Sequence, residues 1–212
     1  GKMSRFIAIT DIHGELYKLK NLLSKINFLP DDTIVFMGDY IDRGSYSKEV
    51  VDTIIEFGTN HKCEYLIGSH EYAYLHARQK DEYYEYLFWN YGGDATVKSY
   101  GSFENIYNTH GDFFENLKFY YKTDKYLFVH AGINPNFPLE EQNEEDLVYI
   151  RWNFIRAKLN LEQKVIFGHT DLEKPYIDEY KIGIDLGCGK YPKAKLCGLI
   201  LDKNEEKFVY SD

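Results

Sequence analysis

The sequence predicts an α/β fold in which two β-sheets pack face to face and α-helices flank them. Three observations carry this expectation. Short apolar runs alternate with amphipathic helical patterns through the first third of the chain, which favours parallel strands joined by crossover helices. The last third is richer in strands, enough for a second sheet. Five apolar runs lead into glycine-flanked segments bearing Asp or His, so several strands would deliver polar side chains to one rim.

Element by element, Arg5–Thr10 reads as the first strand. Glu15–Ile26 follows as a helix, with Leu16, Leu19, Leu22, Leu23 and Ile26 on one face. Pro30-Asp31-Asp32 turns the chain into the strand Thr33–Met37. A second helix, Ser47–Phe57, carries Val50, Val51, Ile54 and Ile55 and stops at Gly58, and Cys63–Ile67 closes a βαβαβ pattern. Helices at about 71–79, 81–90, 93–99 and 110–117 make residues 72–118 a helical cap beside the rim. Strands are expected at Phe119–Thr123, Tyr126–His130, Lys164–Gly168, Tyr176–Ile177, Ile182–Asp185, Leu196–Asp202 and Lys207–Tyr210. These late strands are expected to be antiparallel, with a tight turn at Asn204-Glu205-Glu206.

A chain of 212 residues is expected to form one domain, 1–212, with a full core, and Gly1-Lys2 before Met3 reads as a tag remnant. Hydrophobic residues at 44% and charged residues at 28% are ordinary for a globular protein. A formal charge of −9 argues against general binding to nucleic acid or an anionic membrane. No signal peptide or membrane-length apolar stretch is present, and the cytoplasm is the expected location. The three cysteines, Cys63, Cys188 and Cys197, lack metal-ligand spacing and are expected as free thiols.

The five segments are Asp11-Ile12-His13-Gly14, Gly38-Asp39-Tyr40-Ile41-Asp42-Arg43-Gly44, Gly68-Ser69-His70-Glu71, His130-Ala131-Gly132 and Gly168-His169-Thr170. Any one alone could be an ordinary turn; five of the same architecture point to a metal centre. Asp11 and His13, two residues apart at a strand end, point to one side and could hold one divalent ion. Asp39 is placed to bridge two ions, and His130 and His169 supply imidazoles for the second. Mixed nitrogen and oxygen donors suit Mn²⁺, with Fe or Zn as alternatives. Two ions about 3.5–4 Å apart would activate a water between them and clamp the oxygens of an in-line displacement at phosphorus.

The set resembles the phosphoprotein phosphatase family of calcineurin-like metallophosphoesterases. That pattern runs Gly-Asp-x-His-Gly, Gly-Asp-x-x-Asp-Arg-Gly, Gly-Asn-His-Glu, His-Ala-Gly and a later Gly-His. Gly92-Gly93-Asp94-Ala95-Thr96, Tyr126–Ile133 and Ile184-Asp185-Leu186-Gly187-Cys188 are also similar to compact bacterial and phage members, bacteriophage lambda phosphatase among them. The resemblance implies a serine/threonine, and in some members tyrosine, protein phosphatase. It implies direct attack by a water bridging two divalent metals, with phosphorylated proteins or small phosphoesters as substrates. By the family pattern Asp11, His13 and Asp39 bind the first metal, and Asp39, His130 and His169 the second. His70 is the general acid, oriented by Asp42, and Arg43 and Arg151 hold the phosphoryl oxygens.

Two positions depart from the pattern. Thr10 stands where the family has glycine, a mild change. Ser69 stands where the family has an asparagine that binds the second metal, and a serine hydroxyl is a shorter, weaker donor. A symmetrical dinucleoside tetraphosphatase or a 2′,3′-cyclic phosphodiesterase is the alternative on the same scaffold, though Glu71 rather than aspartate favours the phosphomonoesterase. A phosphopeptide-binding member with a weakened second site is the non-catalytic alternative, and Ser69 is its only support. The run Tyr83-Tyr84-Glu85-Tyr86-Leu87-Phe88-Trp89 is expected to pack or wall the cap, and the acidic stretch 140–146 to be a solvated loop and helix start. His110 is expected to cap or pack.

Overall fold

The computed structural model describes residues 4–203 and 205–212. The expected tag remnant at 1–2, and position 204 of the expected turn, lie outside the described residues. The first part runs β1 (Phe6–Ile9), α1 (Leu16–Lys25), β2 (Thr33–Phe36), α2 (Ser47–Phe57) and β3 (Lys62–Tyr65). These three strands are parallel, with Ile7 beside Ile34 and Val35 beside Glu64. Four helices follow: α3 (Ser69–Arg78), α4 (Glu82–Asn90), α5 (Gly93–Tyr100) and α6 (Phe103–Glu115). The remainder holds β4 (Tyr120–Lys122), β5 (Tyr126–Val129), α7 (Glu144–Tyr149), α8 (Trp152–Ile155), β6 (Lys164–Phe167), β7 (Tyr176–Ile177), β8 (Lys181–Gly183), β9 (Cys197–Asp202) and β10 (Glu205–Tyr210).

Two five-stranded sheets result, ordered β10-β9-β1-β2-β3 and β4-β5-β6-β8-β7. Side chains alternate faces along a strand, and that alternation sorts them into layers. Ala8 and Val35 point between the sheets and join Phe128, Ile166, Ile182 and Leu199 in a common core. Their neighbours Ile7, Ile9, Ile34 and Phe36 point the other way, against Leu19 and Leu22 of α1 and Val50, Val51 and Ile54 of α2. On the far side Leu127, Val129, Val165 and Phe167 pack on Leu147, Phe154 and Ile155 of α7 and α8. Burying each such side chain contributes about 1.5–3 kcal/mol, so a one-residue slip in β1 or β2 would cost both layers at once.

Three expectations need correction. The late strands are not uniformly antiparallel: β5, β6 and β8 are mutually parallel. The chain returns from β5 to β6 through α7 and α8; α7 begins at Glu144, inside the acidic stretch 140–146 where a helix start is expected. Only β4, β7, β9 and β10 run against their neighbours. Helix α6 begins at Phe103, seven residues before the expected start, because the Ser102 hydroxyl accepts from Asn105 N–H and caps it. It bends at His110, whose backbone leaves the helical region at φ −129°. Strand β10 already begins at Glu205, where the expected turn would lie.

Candidate metal centre

The C-terminal ends of β1, β2 and β3 in one sheet, and of β5 and β6 in the other, carry the five segments to a single rim. Asp11 and His13 follow β1, Asp39 follows β2, and Ser69 and His70 open α3 just beyond β3. His130 directly follows β5, and His169 follows β6. The backbone is bent hard to present them. Of the seven non-glycine residues with positive φ among the described residues, six are Asp11, His13, Asp39, Asp42, Arg43 and His169. Such conformations cost about 1–3 kcal/mol each and persist only where surroundings fix them.

Glu71 provides much of that fixing. Its buried carboxylate accepts from the N–H groups of Asp39 (2.7 Å), Tyr40 (2.9 Å) and Gly68 (2.9 Å), clamping the turn after β2 to the start of α3. Burial first, and then the Asp39 charge, push this carboxyl up to about 7 despite those donors. Gly38 is required in the same turn, since at φ +98° an added Cβ would collide with the Gly68 backbone.

Donor atoms converge on Asp39. Its Oδ2 lies 3.6 Å from His13 Nε2, 3.3 Å from His130 Nε2 and 4.0 Å from His70 Nε2. Two groupings have metal-site spacing: His13, Asp39 and His70, and Asp39, His130 and His169. Asp11 stands beside the first, its Oδ2 3.8 Å from His13 Nε2. The Ser69 hydroxyl lies 3.3 Å from Asp39 Oδ2 and 3.4 Å from His169 Nδ1, between a carboxylate and an imidazole of the second grouping.

Two of the imidazoles are oriented by backbone carbonyls. His13 Nδ1–H donates to the Ile41 carbonyl and His130 Nδ1–H to the Met37 carbonyl, both at 2.8 Å, which leaves each Nε2 lone pair facing the carboxylates. His130 Nε2 is fully buried with no hydrogen-bond partner, a costly state unless something binds it. Burial, and then the neighbouring His70, push His13 down to about 3, so its imidazole is neutral at ordinary pH. Burial would raise Asp39, but His130, His70 and His13 outweigh it and hold the carboxyl well below the usual range. Burial together with Asp185 and Asp39 drives Asp11 well above it. A cluster with so many buried carboxylates and open nitrogen lone pairs fits divalent cations.

His70 is held differently. Its Nδ1–H donates to Asp42 Oδ2 at 2.7 Å, a carboxylate rather than a carbonyl. Burial lowers this imidazole, but Asp39 and Asp42 together raise it. Asp42 is itself locked, because Thr96 Oγ1 donates to its Oδ1 at 2.6 Å and accepts from its N–H at 2.8 Å. Arg43 N–H donates to the Gly92 carbonyl, and Arg43 lines the cavity beside the cluster. Arg151 caps the start of α8 with exposed, non-helical backbone and also lines that cavity. The cavity measures about 320 Å³, and α4 contributes Tyr83, Leu87, Phe88 and Tyr91 to its wall.

All the sequence-predicted residues therefore meet in one place. Four participants were not assigned roles from sequence. Glu71 was read only as a marker of substrate class, and Thr96 and Asp185 only as parts of similar stretches. The fourth, Tyr149, donates from its hydroxyl to the Ser69 carbonyl at 3.3 Å. The three cysteines are free; Cys188 lines the cavity, and burial pushes its thiol up to about 12. No helix among the described residues is long and apolar enough to cross a membrane.

Comparison with known proteins agrees with this geometry. The family model for calcineurin-like phosphoesterases matches residues 4–209. Among solved structures, a candidate diadenosine tetraphosphatase is similar with a TM-score of 0.71 at 21% identity, covering 99% of this chain and 94% of that one. A cold-active protein-tyrosine phosphatase from a psychrophilic Shewanella species gives 0.71 at 15% identity, covering 99% and 81%. A protein serine/threonine phosphatase from Saccharomyces cerevisiae gives 0.71 at 16% identity, covering 99% and 80%. At these identities the neighbours establish the shared fold.

Proposed function

Because the chain belongs to the calcineurin-like phosphoesterase family, we propose that it is a metal-dependent phosphomonoesterase of the protein-phosphatase type. It would hydrolyse serine, threonine or tyrosine phosphate monoesters. The observation that carries this reading is the His70–Asp42 pair beside the Asp39 cluster. An oriented imidazole with a free Nε2, next to a carboxylate-rich donor set, suits protonation of a departing oxygen.

Asp11, His13 and Asp39 would hold one divalent ion, and Asp39, Ser69, His130 and His169 the other, with Mn²⁺ the best fit to these donors and Fe or Zn compatible. When bound, such ions polarise phosphoryl oxygens and lower the pKa of water. The protein's own residues do the rest. The planar guanidinium of Arg43, joined by Arg151, binds the remaining phosphoryl oxygens and fixes their orientation. His70 delivers a proton from Nε2 to the leaving alkoxide or phenoxide, while Asp42 holds the ring and stabilises its charged form. Thr96 keeps Asp42 in register for that task. No side chain needs to form a covalent phosphoenzyme. The three free thiols fit a reducing compartment, the cytoplasm.

The test is manganese-supplemented hydrolysis of para-nitrophenyl phosphate by this chain and by Ser69→Asn. Turnover by both supports the reading, with serine tolerated among the ligands. Turnover by Ser69→Asn alone identifies a phosphatase scaffold whose second metal position serine has weakened. Inactivity of both, with metal shown to be bound, rules the phosphomonoesterase out.

A further inference from the structure

We propose that helix α4 forms an aryl subsite beside the phosphoryl position, so that aromatic phosphomonoesters, phosphotyrosyl side chains among them, are preferred to phosphoseryl ones. The inference rests on the phosphomonoesterase reading and names its substrate class.

Tyr83, Leu87 and Tyr91 recur every four residues along α4 and its C-cap, which puts them on one face. That face lines the cavity. Tyr84 and Phe88, one position on, are buried and hold the helix down. Phe88 packs against Tyr74 and Phe103 at centroid distances of 5.7 Å, and the Tyr84 hydroxyl donates to Glu145 Oε1 at 3.0 Å. The wall is therefore fixed before any ligand arrives, which reduces the ordering cost of binding.

The cavity-facing rings are nevertheless uncovered: Tyr83 is 63% exposed and Tyr91 51%. Uncovered aromatic faces on a rigid wall suit offset or edge-on packing with another ring. Their place relative to the phosphoryl group follows from the backbone. Tyr91 directly precedes Gly92, whose carbonyl accepts from the N–H of Arg43 at 3.0 Å. Arg43 is thus held against the C-terminal end of α4, and the Tyr83, Leu87 and Tyr91 face shares one cavity with it.

Size and charge favour a monoester with one ring over a longer polyphosphate. About 320 Å³ lies at the small end of ligand cavities. Three cationic side chains line it, and Lys190 is already paired with Asp171 at 2.9 Å. That leaves Arg43 and Arg151 as the unpaired arginines lining the cavity, a pair matched to one phosphoryl group beside the metal donors.

The experiment compares kcat/KM for phosphotyrosyl and phosphoseryl forms of one peptide, using manganese-loaded protein. Tyr83→Ala and Tyr91→Ala should each lower the phosphotyrosyl-to-phosphoseryl ratio about 3- to 10-fold, mainly through KM. Tyr83→Phe should restore it, since a ring face and not a hydroxyl is required. Tyr86→Ala removes an exposed ring of α4 outside the cavity and should keep the ratio of the unsubstituted chain. An unchanged ratio in both cavity variants overturns the inference, as does an equal fall in Tyr86→Ala. A loss confined to diadenosine tetraphosphate cleavage also overturns it, in favour of a nucleobase platform. If the unsubstituted chain hydrolyses neither peptide nor para-nitrophenyl phosphate, the phosphomonoesterase reading fails and takes the subsite with it. Hydrolysis with an unmoved ratio removes the subsite alone.

Discussion

The floor of the cavity and its helical wall are built on opposite terms. The floor is made of strand-end turns with left-handed backbone at six non-glycine residues, and nearly every polar side chain there is buried and engaged. The wall is regular helix with ordinary backbone, anchored by buried rings and presenting uncovered ones. Strain and buried charge mark the place where the chemistry is prepared, because both are tolerated only when other contacts compel them. Low strain and free aromatic surface mark a place that can select substrates without taking part in the reaction. The two regions should therefore fail differently when altered.

The largest effect is expected on the floor, from His70→Ala. Turnover of a monoester with a poor leaving group should fall about 10²–10⁴-fold, the range of a lost general acid. Metal content should stay nearly intact, because the contact of residue 70 with Asp39 Oδ1 that most constrains the turn comes from its backbone N–H at 2.9 Å. Metal analysis beside kinetics on alkyl and aryl esters checks both halves. Unchanged turnover of the alkyl ester would show that His70 is not the acid.

The same contrast explains what the sequence made legible. Asp11, His13, Asp39, His70, His130 and His169 stand in glycine-flanked segments after apolar runs, so their grouping is legible as a pattern in the sequence alone. The alternation of short apolar runs with helical patterns likewise pointed to the parallel β1, β2 and β3. What escaped was set by tertiary context. The parallel pairing of β5 with β6 is reached through two helices of six and four residues, too short to leave a period in the sequence. Tyr83 and Tyr91 cannot be told from packing aromatics until α4 is placed beside the cavity. Glu71 looked like a marker of substrate class because its four backbone donors lie on segments far apart in sequence or across a turn.

Glu71→Gln gives the next effect in size and probes the link between floor and helix. A carboxylate that accepts four backbone N–H groups, from Asp39, Tyr40, Ile41 and Gly68, would become an amide with one oxygen, leaving at least one donor facing an NH₂. The expected loss is about 1–3 kcal/mol of stability, or roughly 2–4 °C in Tm per kcal/mol at this chain length. Thermal melts with and without manganese should show the deficit in both, because the clamp acts on the backbone of the turn. A deficit seen only with manganese would mean that Glu71 serves the metal centre without bracing the fold.

The smallest effect belongs behind the wall, at the bend in α6. His110 is buried there, its Nε2–H donating to Asp52 Oδ1 of α2 at 2.8 Å and its Nδ1 accepting from the Tyr100 hydroxyl at 2.6 Å. That pair of bonds uses the neutral imidazole on both sides. Burial lowers the pKa of His110 and outweighs the Asp52 carboxylate that opposes it. A histidine with a depressed pKa is protonated more readily when unfolded, so its contribution to stability is present above about pH 6.5 and is lost as pH falls through the lowered folded value. His110→Gln should thus cost about 1 kcal/mol near pH 8, or about 2–4 °C in Tm, and the gap to the unsubstituted chain should narrow toward pH 5. Melting curves across that range decide it. A gap that widens on acidification would mean that the protonated imidazole, paired with Asp52, is the form the fold prefers, and that charge as well as packing holds the helical layer to α2.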